Sequence, residues 1–159
     1  YLMVFPSASC KMEVIDSGYF SGMISVCNLA RLDYGALHSE LEQRNMGLLG
    51  FSPLQCGMLT DRHEHRPEDS SDRRSSESYE KEYAKRQRIV EFFGDEIGPS
   101  MTSFALRALL STPVMGSLIT GMSTAEQVDE IIAAVDVPAL SPDVFERAVT
   151  LWNEELSAI

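Results

Sequence analysis

The sequence predicts an α/β fold with parallel strands, on three observations. Short apolar runs of strand length alternate about four times with segments of helical patterning. Gly and Pro punctuate the breaks, as at Gly47, at Gly94 to Pro99 and at Pro113. The 159 residues, 44% of them hydrophobic, suffice for one unit built around one core. Strands joined by helical crossovers run parallel. On pattern alone two architectures stay open: an open doubly wound sheet, or one half of a (β/α)8 barrel, whose full form takes about 250 residues.

Leu2 to Phe5 forms a strand ending at Pro6, and Met12 to Ile15 a brief helical turn ahead of Gly18. Met23 to Val26 follows as a buried strand. Ala36 to Asn45 is a helix with Leu37 and Leu41 on one face, and Gly47 to Phe51 returns as a strand. From Asp61 the chain loses almost all aliphatic residues, so a mobile polar loop is expected over 61–78. Helical patterning resumes over Tyr79 to Phe93 and again over Thr102 to Leu110, and Ser117 to Ile119 is strand-like. Ala125 to Val135 carries Val128, Ile131, Ile132 and Val135 at i, i+3, i+4 and i+7, one continuous apolar stripe. The last helix takes Ser141 as N-cap and Pro142 in its first turn, and turns Phe145, Val149, Trp152 and Leu156 toward a core.

A formal net charge of -11 without a basic stripe argues against nucleic acid as a partner. No apolar run approaches the roughly 18 residues that span a bilayer, and Tyr1 to Ser9 lacks a signal peptide's basic flank, so a cytosolic setting is the expectation. Cys10, Cys27 and Cys56 are an odd number without CxxC spacing, the pattern of free thiols. His63-Glu64-His65 has no third ligand at fixed spacing and suits a solvated loop better than a metal site, so no metal is expected. His38 is expected at the surface. The strand-like start directly after Tyr1 suggests a chain that begins inside a fold.

Two stretches choose between the architectures. Gly50-Phe51-Ser52-Pro53-Leu54-Gln55-Cys56-Gly57-Met58-Leu59-Thr60 follows a strand, and Ser117-Leu118-Ile119-Thr120-Gly121-Met122-Ser123-Thr124-Ala125-Glu126-Gln127 follows the last strand. The first resembles the seventh-strand signature of the aldo-keto reductases: an aromatic residue, Ser-Pro-Leu, a small residue and Gly, then a Leu-Thr step. The second resembles that family's final cofactor segment, with Thr120 in place of the usual Pro. Ile24 to Leu29, with Asn28, is similar to the sixth strand. The resemblance runs from about Leu2 to the C-terminus. It implies a partial (β/α)8 TIM barrel of about four βα units, the fifth to eighth, plus a C-terminal helix. It further implies an NADP-dependent reductase of aldehydes or ketones, with NAD also open. Phe51, Ser52, Pro53, Leu54 and Gly57 would then border the nicotinamide and pyrophosphate, and Gly121, Ser123, Thr124, Gln127 and Glu130 the adenosine side.

Physical chemistry supports this implication. Phosphate favours free backbone N–H groups at the positive end of a helix, and Gly121 to Thr124 supplies a glycine turn leading into one. An aromatic ring at a strand's C-terminal end lies on the face where barrel sites form. Simpler readings compete: Ser123 with Glu126, or Thr124 with Gln127, also fits a capping box, Phe51 suits a core position, and Cys56 an inert one.

The sequence departs from the family at several points. The Tyr, Lys, Asp and His that reduce a carbonyl belong to the barrel's first half, so Tyr19, Tyr34, Tyr79 and Tyr83 are not assigned that role and this chain alone should not catalyse. Ile24 and Ile131 stand where the family has Gln and Asn, and Phe5 to Ser9 offers only a displaced serine. No Arg or Lys lies between Gly121 and Ile131 to meet a 2′-phosphate. The competing function is a non-catalytic half-barrel that pairs with itself or with a partner to cover its open edges.

Overall fold

The computed structural model describes residues 2–4, 10–33, 37–63 and 76–159. Four strands lie side by side in chain order: β1 (Leu2–Val4), β2 (Gly22–Val26), β3 (Gly47–Phe51) and β4 (Met115–Ile119). Every neighbouring pair is parallel. A doubly wound sheet reverses its strand order at a switch point. The unbroken order β1 to β4 is instead that of a barrel wall, and it decides between the two architectures left open by the pattern.

The crossovers are α1 (Lys11–Asp16), α2 (His38–Gln43), and the pair α3 (Ser76–Phe93) and α4 (Met101–Leu110). After β4 come α5 (Ala125–Val135) and α6 (Asp143–Glu154). Most bounds fall within a few residues of expectation, and those of β3 and α5 coincide with it. Three details differ. Helix α3 begins at Ser76, so 76–78 are helical rather than loop. Residues 61–63 form a 3-10 turn held by Asp61, whose Oδ1 accepts from the Met101 amide at 2.6 Å and Oδ2 from the Ser100 hydroxyl at 2.7 Å. Helix α6 has Pro142 as its N-cap, already in helical φ/ψ, while the Ser141 carbonyl accepts from the Val144 amide at 3.0 Å without a side-chain cap.

Register fixes which side chains share a face. Val26, Phe51 and Ile119 form one row across the sheet, as do Ile24, Leu49 and Ser117. In a barrel such rows fill the interior, and here they are half-buried or exposed. The opposite face is sealed by helices, with Met23 and Leu48 fully buried. A bulge between Leu48 and Leu49 shifts the pairing with β4 past Gly116. Where β2 and β3 pack tightest, a Cβ on Gly22 would lie 2.5 Å from the Gly47 carbonyl oxygen, so only glycine fits.

The core gathers Phe104, Ala105, Ala108 and Leu109 of α4 with Phe145, Val149 and Trp152 of α6. Burying each large side chain contributes roughly 1.5 to 3 kcal/mol. His38 lies at the surface but half-buried: its side chain is 13% exposed, edge-on to the Phe145 ring of α6, with Nε2 2.7 Å from the Glu146 carboxylate. The apolar stripe of α5 is present, yet Val128, Ile132 and Val135 remain 38%, 57% and 43% exposed. Among the described residues no strand lies beyond β4 to receive that face.

Candidate functional site

At the C-terminal end of β3 the chain turns sharply. Ser52, Gln55 and Cys56 adopt left-handed φ of 56°, 46° and 52°, and Gly57 follows at 89°. For non-glycine residues this conformation costs on the order of 1 kcal/mol or more each, so neighbours must hold it. Asn28, just past β2 and fully buried, does so from below. Its Nδ2 donates to the Ser52 carbonyl at 3.1 Å and to Gln55 Oε1 at 2.7 Å, while its Oδ1 accepts from the Ala30 amide at 3.0 Å. From the side, the buried Arg86 of α3 donates to the Met58 carbonyl at 3.1 Å.

The end of β4 meets this turn directly, for the Ser52 amide donates to the Ile119 carbonyl at 3.2 Å. Beyond Ile119 the chain runs through Thr120, Gly121 and Met122 to α5. Thr124 caps that helix, its hydroxyl accepting from the Gln127 amide at 3.3 Å, and Gln127 Oε1 reaches back to the Ser123 amide at 2.6 Å. The capping reading therefore holds in the Thr124 frame. Glu126 sits below the usual carboxylate range, held there first by its own backbone amide and then by the Thr124 hydroxyl.

Between the two turns lies a cleft of about 680 Å³, within the usual size of ligand sites. It is lined by Phe51, Ser52, Pro53, Leu54 and Gly57 from the first turn and by Gly121, Ser123, Gln127 and Glu130 from the second. Of the residues predicted from sequence, Thr124 alone is absent from the lining, because it faces its own helix as cap. Four features suit a dinucleotide. The Phe51 side of the cleft is aromatic and open, with that residue 41% exposed. A Cβ on Gly121 would meet no atom within 4 Å, which leaves room for close approach to backbone. The Gly121 and Met122 amides, in two exposed residues, have no acceptor among the described residues. The positive end of α5 is directed to the same turn. One predicted donor fits less well, since the Ser123 amide is already taken by Gln127, leaving its hydroxyl.

Sequence reasoning missed Arg62, which reaches the cleft from the 3-10 turn after β3 and stands 3.4 Å from the Glu130 carboxylate. Its place at the start of a polar excursion concealed it; its position two residues after the Leu-Thr step was the available signal. Cys56, Thr60, Ile119, Thr120 and Ile131 also line the cleft. Tyr34, Glu64, His65 and the segment 5–9 lie outside the described residues. Among the described residues no helix is long and apolar enough to cross a membrane.

Known proteins share this architecture. The sequence profile of the Aldo/keto reductase family matches residues 23–153. A probable voltage-gated potassium channel subunit beta of Arabidopsis thaliana is 31% identical over 112 residues, which is 64% of this chain and 34% of that protein. The protein of the same description from Oryza sativa subsp. japonica is 30% identical over 112 residues. Among solved structures, the holo form of an aldo-keto reductase from Bacillus halodurans superposes with a TM-score of 0.71 at 14% identity, over 95% of this chain and 49% of that one. A glycerol dehydrogenase from Gluconobacter oxydans gives 0.57 at 21% identity, over 85% of this chain and 43% of that one. The structural likeness shows the fold, and the chain spans half or less of the length of these relatives. With the profile matching most of its length and the strand order of a barrel wall, this chain belongs to the aldo/keto reductase family.

Proposed function

We propose that the cleft between the ends of β3 and β4 holds a nicotinamide dinucleotide, and that the chain is the cofactor-binding part of an NAD(P)H-dependent reductase of aldehydes or ketones. One observation carries this reading: two turns far apart in sequence converge on a single cleft lined by all but one of the residues expected to touch the cofactor. The Gly121 and Met122 amides and the Ser123 hydroxyl would address phosphate oxygens at the start of α5. Phe51 would offer its ring to the nicotinamide, and the rigid Ser52 to Gly57 turn would border the pyrophosphate without reorganising on binding. The bound cofactor supplies a hydride, which a carbonyl carbon accepts while an acid protonates its oxygen. No residue of this chain is assigned that acid. A small carbonyl compound is the substrate class, and the expected setting is the cytoplasm.

Calorimetric titration of the chain with NADP+ and with NAD+ tests the reading. Saturable binding of at least one dinucleotide, weakened by Gly121→Val, is expected. A folded chain that takes up neither at millimolar concentration overturns it.

A second reading has its own support. The exposed Val128, Ile132 and Val135 on α5 form a surface suited to self-association. A homodimer acting by association rather than catalysis would sediment as twice the chain mass, and Ile132→Glu would return it to monomer; a wild-type chain sedimenting as monomer excludes this reading.

A further inference from the structure

Both edges of the sheet are free: among the described residues β1 and β4 have no strand on their outer sides. Such edges present rows of unpaired backbone N–H and C=O groups, which favour pairing with a further strand. All four strands are parallel and in chain order, half of the roughly eight that close a barrel just wide enough for side chains to fill. A single added strand would satisfy one edge and leave the other open. A second copy satisfies both at once, because a twofold axis along the barrel brings β4 of each copy beside β1 of the other and keeps every strand parallel.

The composition of the uncovered face suits this occupant. The side of the sheet away from the helices carries Ile24, Val26, Leu49, Phe51, Ser117 and Ile119, all half-buried or exposed and none ionisable. Like charges set against each other across an interface cost several kcal/mol. Two chains of net charge -11 can appose these faces without that cost. The helices agree with the strands. In a closed barrel the helix after each strand neighbours the helix after the next, so α5 of one copy would lie against α1 of the other. The stripe Val128, Ile132 and Val135 on α5 is exposed, and so is Met12 on α1, at 41%.

We infer that two copies of this chain close face to face into an eight-stranded barrel, four strands from each. The inference rests on the self-association reading but can fail independently of it.

Sedimentation and small-angle scattering of the wild-type chain and of Leu49→Lys test it. On the open face of one copy a Lys at position 49 can extend its ammonium into water and leave the fold intact, whereas closure would bury one from each copy. Wild type is expected as a dimer with a radius of gyration of about 20 Å, that of a compact body of two such chains. Leu49→Lys is expected to weaken the dimer at least about a hundredfold while the circular dichroism of the folded chain is retained. A wild-type dimer of clearly larger radius, or one that Leu49→Lys leaves intact, overturns closure and leaves self-association standing; should Leu49→Lys fail to fold, the wild-type radius alone decides. A wild-type chain that stays monomeric at high micromolar concentration overturns both, and the free edges then belong to a different occupant.

Discussion

Cys27 and Cys56 show how position decides the chemistry of one residue type. Cys27 is fully buried beneath the end of β2, and its thiol is pushed up to about 12 by desolvation, with a smaller contribution from Asp33. Cys56 is exposed in the left-handed turn of the cleft. Since the thiolate is the reactive form, brief iodoacetamide treatment of the native chain at pH 8 should label Cys56 and leave Cys27 unmodified until urea unfolds the protein. Peptide mass spectrometry reads both sites, and equal labelling in the native state would contradict the buried placement. Asn28 is the other informative single residue. The sequence marked it only as part of a strand-end resemblance, because hydrogen bonds to Ser52 and Gln55 link positions far apart in the chain and leave no local trace.

Elements report on packing. Gly22 and Gly47 both lie where β2 and β3 pair, with different surroundings. A Cβ on Gly22 would sit 2.5 Å from a backbone oxygen, whereas one on Gly47 would have its nearest neighbour, the Val114 carbonyl oxygen, at 4.0 Å. Backbone cannot step aside as a flexible side chain can, so Gly22→Ala should destabilise the fold by about 1 to 3 kcal/mol. Gly47→Ala should be close to neutral or slightly stabilising, by about 0.4 to 1 kcal/mol, through the lower entropy of its unfolded chain. Urea midpoints of the two variants give the comparison, and equal losses would place the close approach elsewhere. At this scale the sequence was legible. The 3.6-residue period of α5 and the apolar run of β3 gave their bounds directly, since each depends on local pattern. The start of α3 was not legible, because Ser76 to Ser78 have the composition of a loop, and the helix they join is held by tertiary contacts such as that of Arg86.

Across the whole molecule, with its net charge of -11, two arginine–glutamate pairs between distant elements respond to pH. Arg147 grips Glu96 through two bonds of 2.8 and 2.7 Å, and Arg88 likewise holds Glu155. The arginine hydrogen bonds keep both carboxyls below the usual glutamate range. A carboxyl whose folded value lies below its unfolded one stabilises the fold above the unfolded value, near 4.3, and that contribution disappears as pH falls through the folded value. The stability difference between wild type and an Arg88→Met, Arg147→Met double variant should therefore be present at pH 7, shrink as pH drops below about 4.3, and weaken with added salt because both pairs are solvent-accessible. Urea unfolding across pH measures it, and a difference that grows on acidification would reverse the assignment.

By itself the sequence determined the periodicity of the elements, the α/β class and the two turns that mark the family, because hydrophobic period and turn chemistry are properties of neighbouring residues. Strand order, the meeting of Ser52 with Ile119, Thr124 serving as cap while its neighbours line the cleft, and the pairing of Arg62 with Glu130 were decided only by the tertiary structure. Each is a contact between residues distant along the chain, and such contacts are set by how the whole sheet packs rather than by local preference.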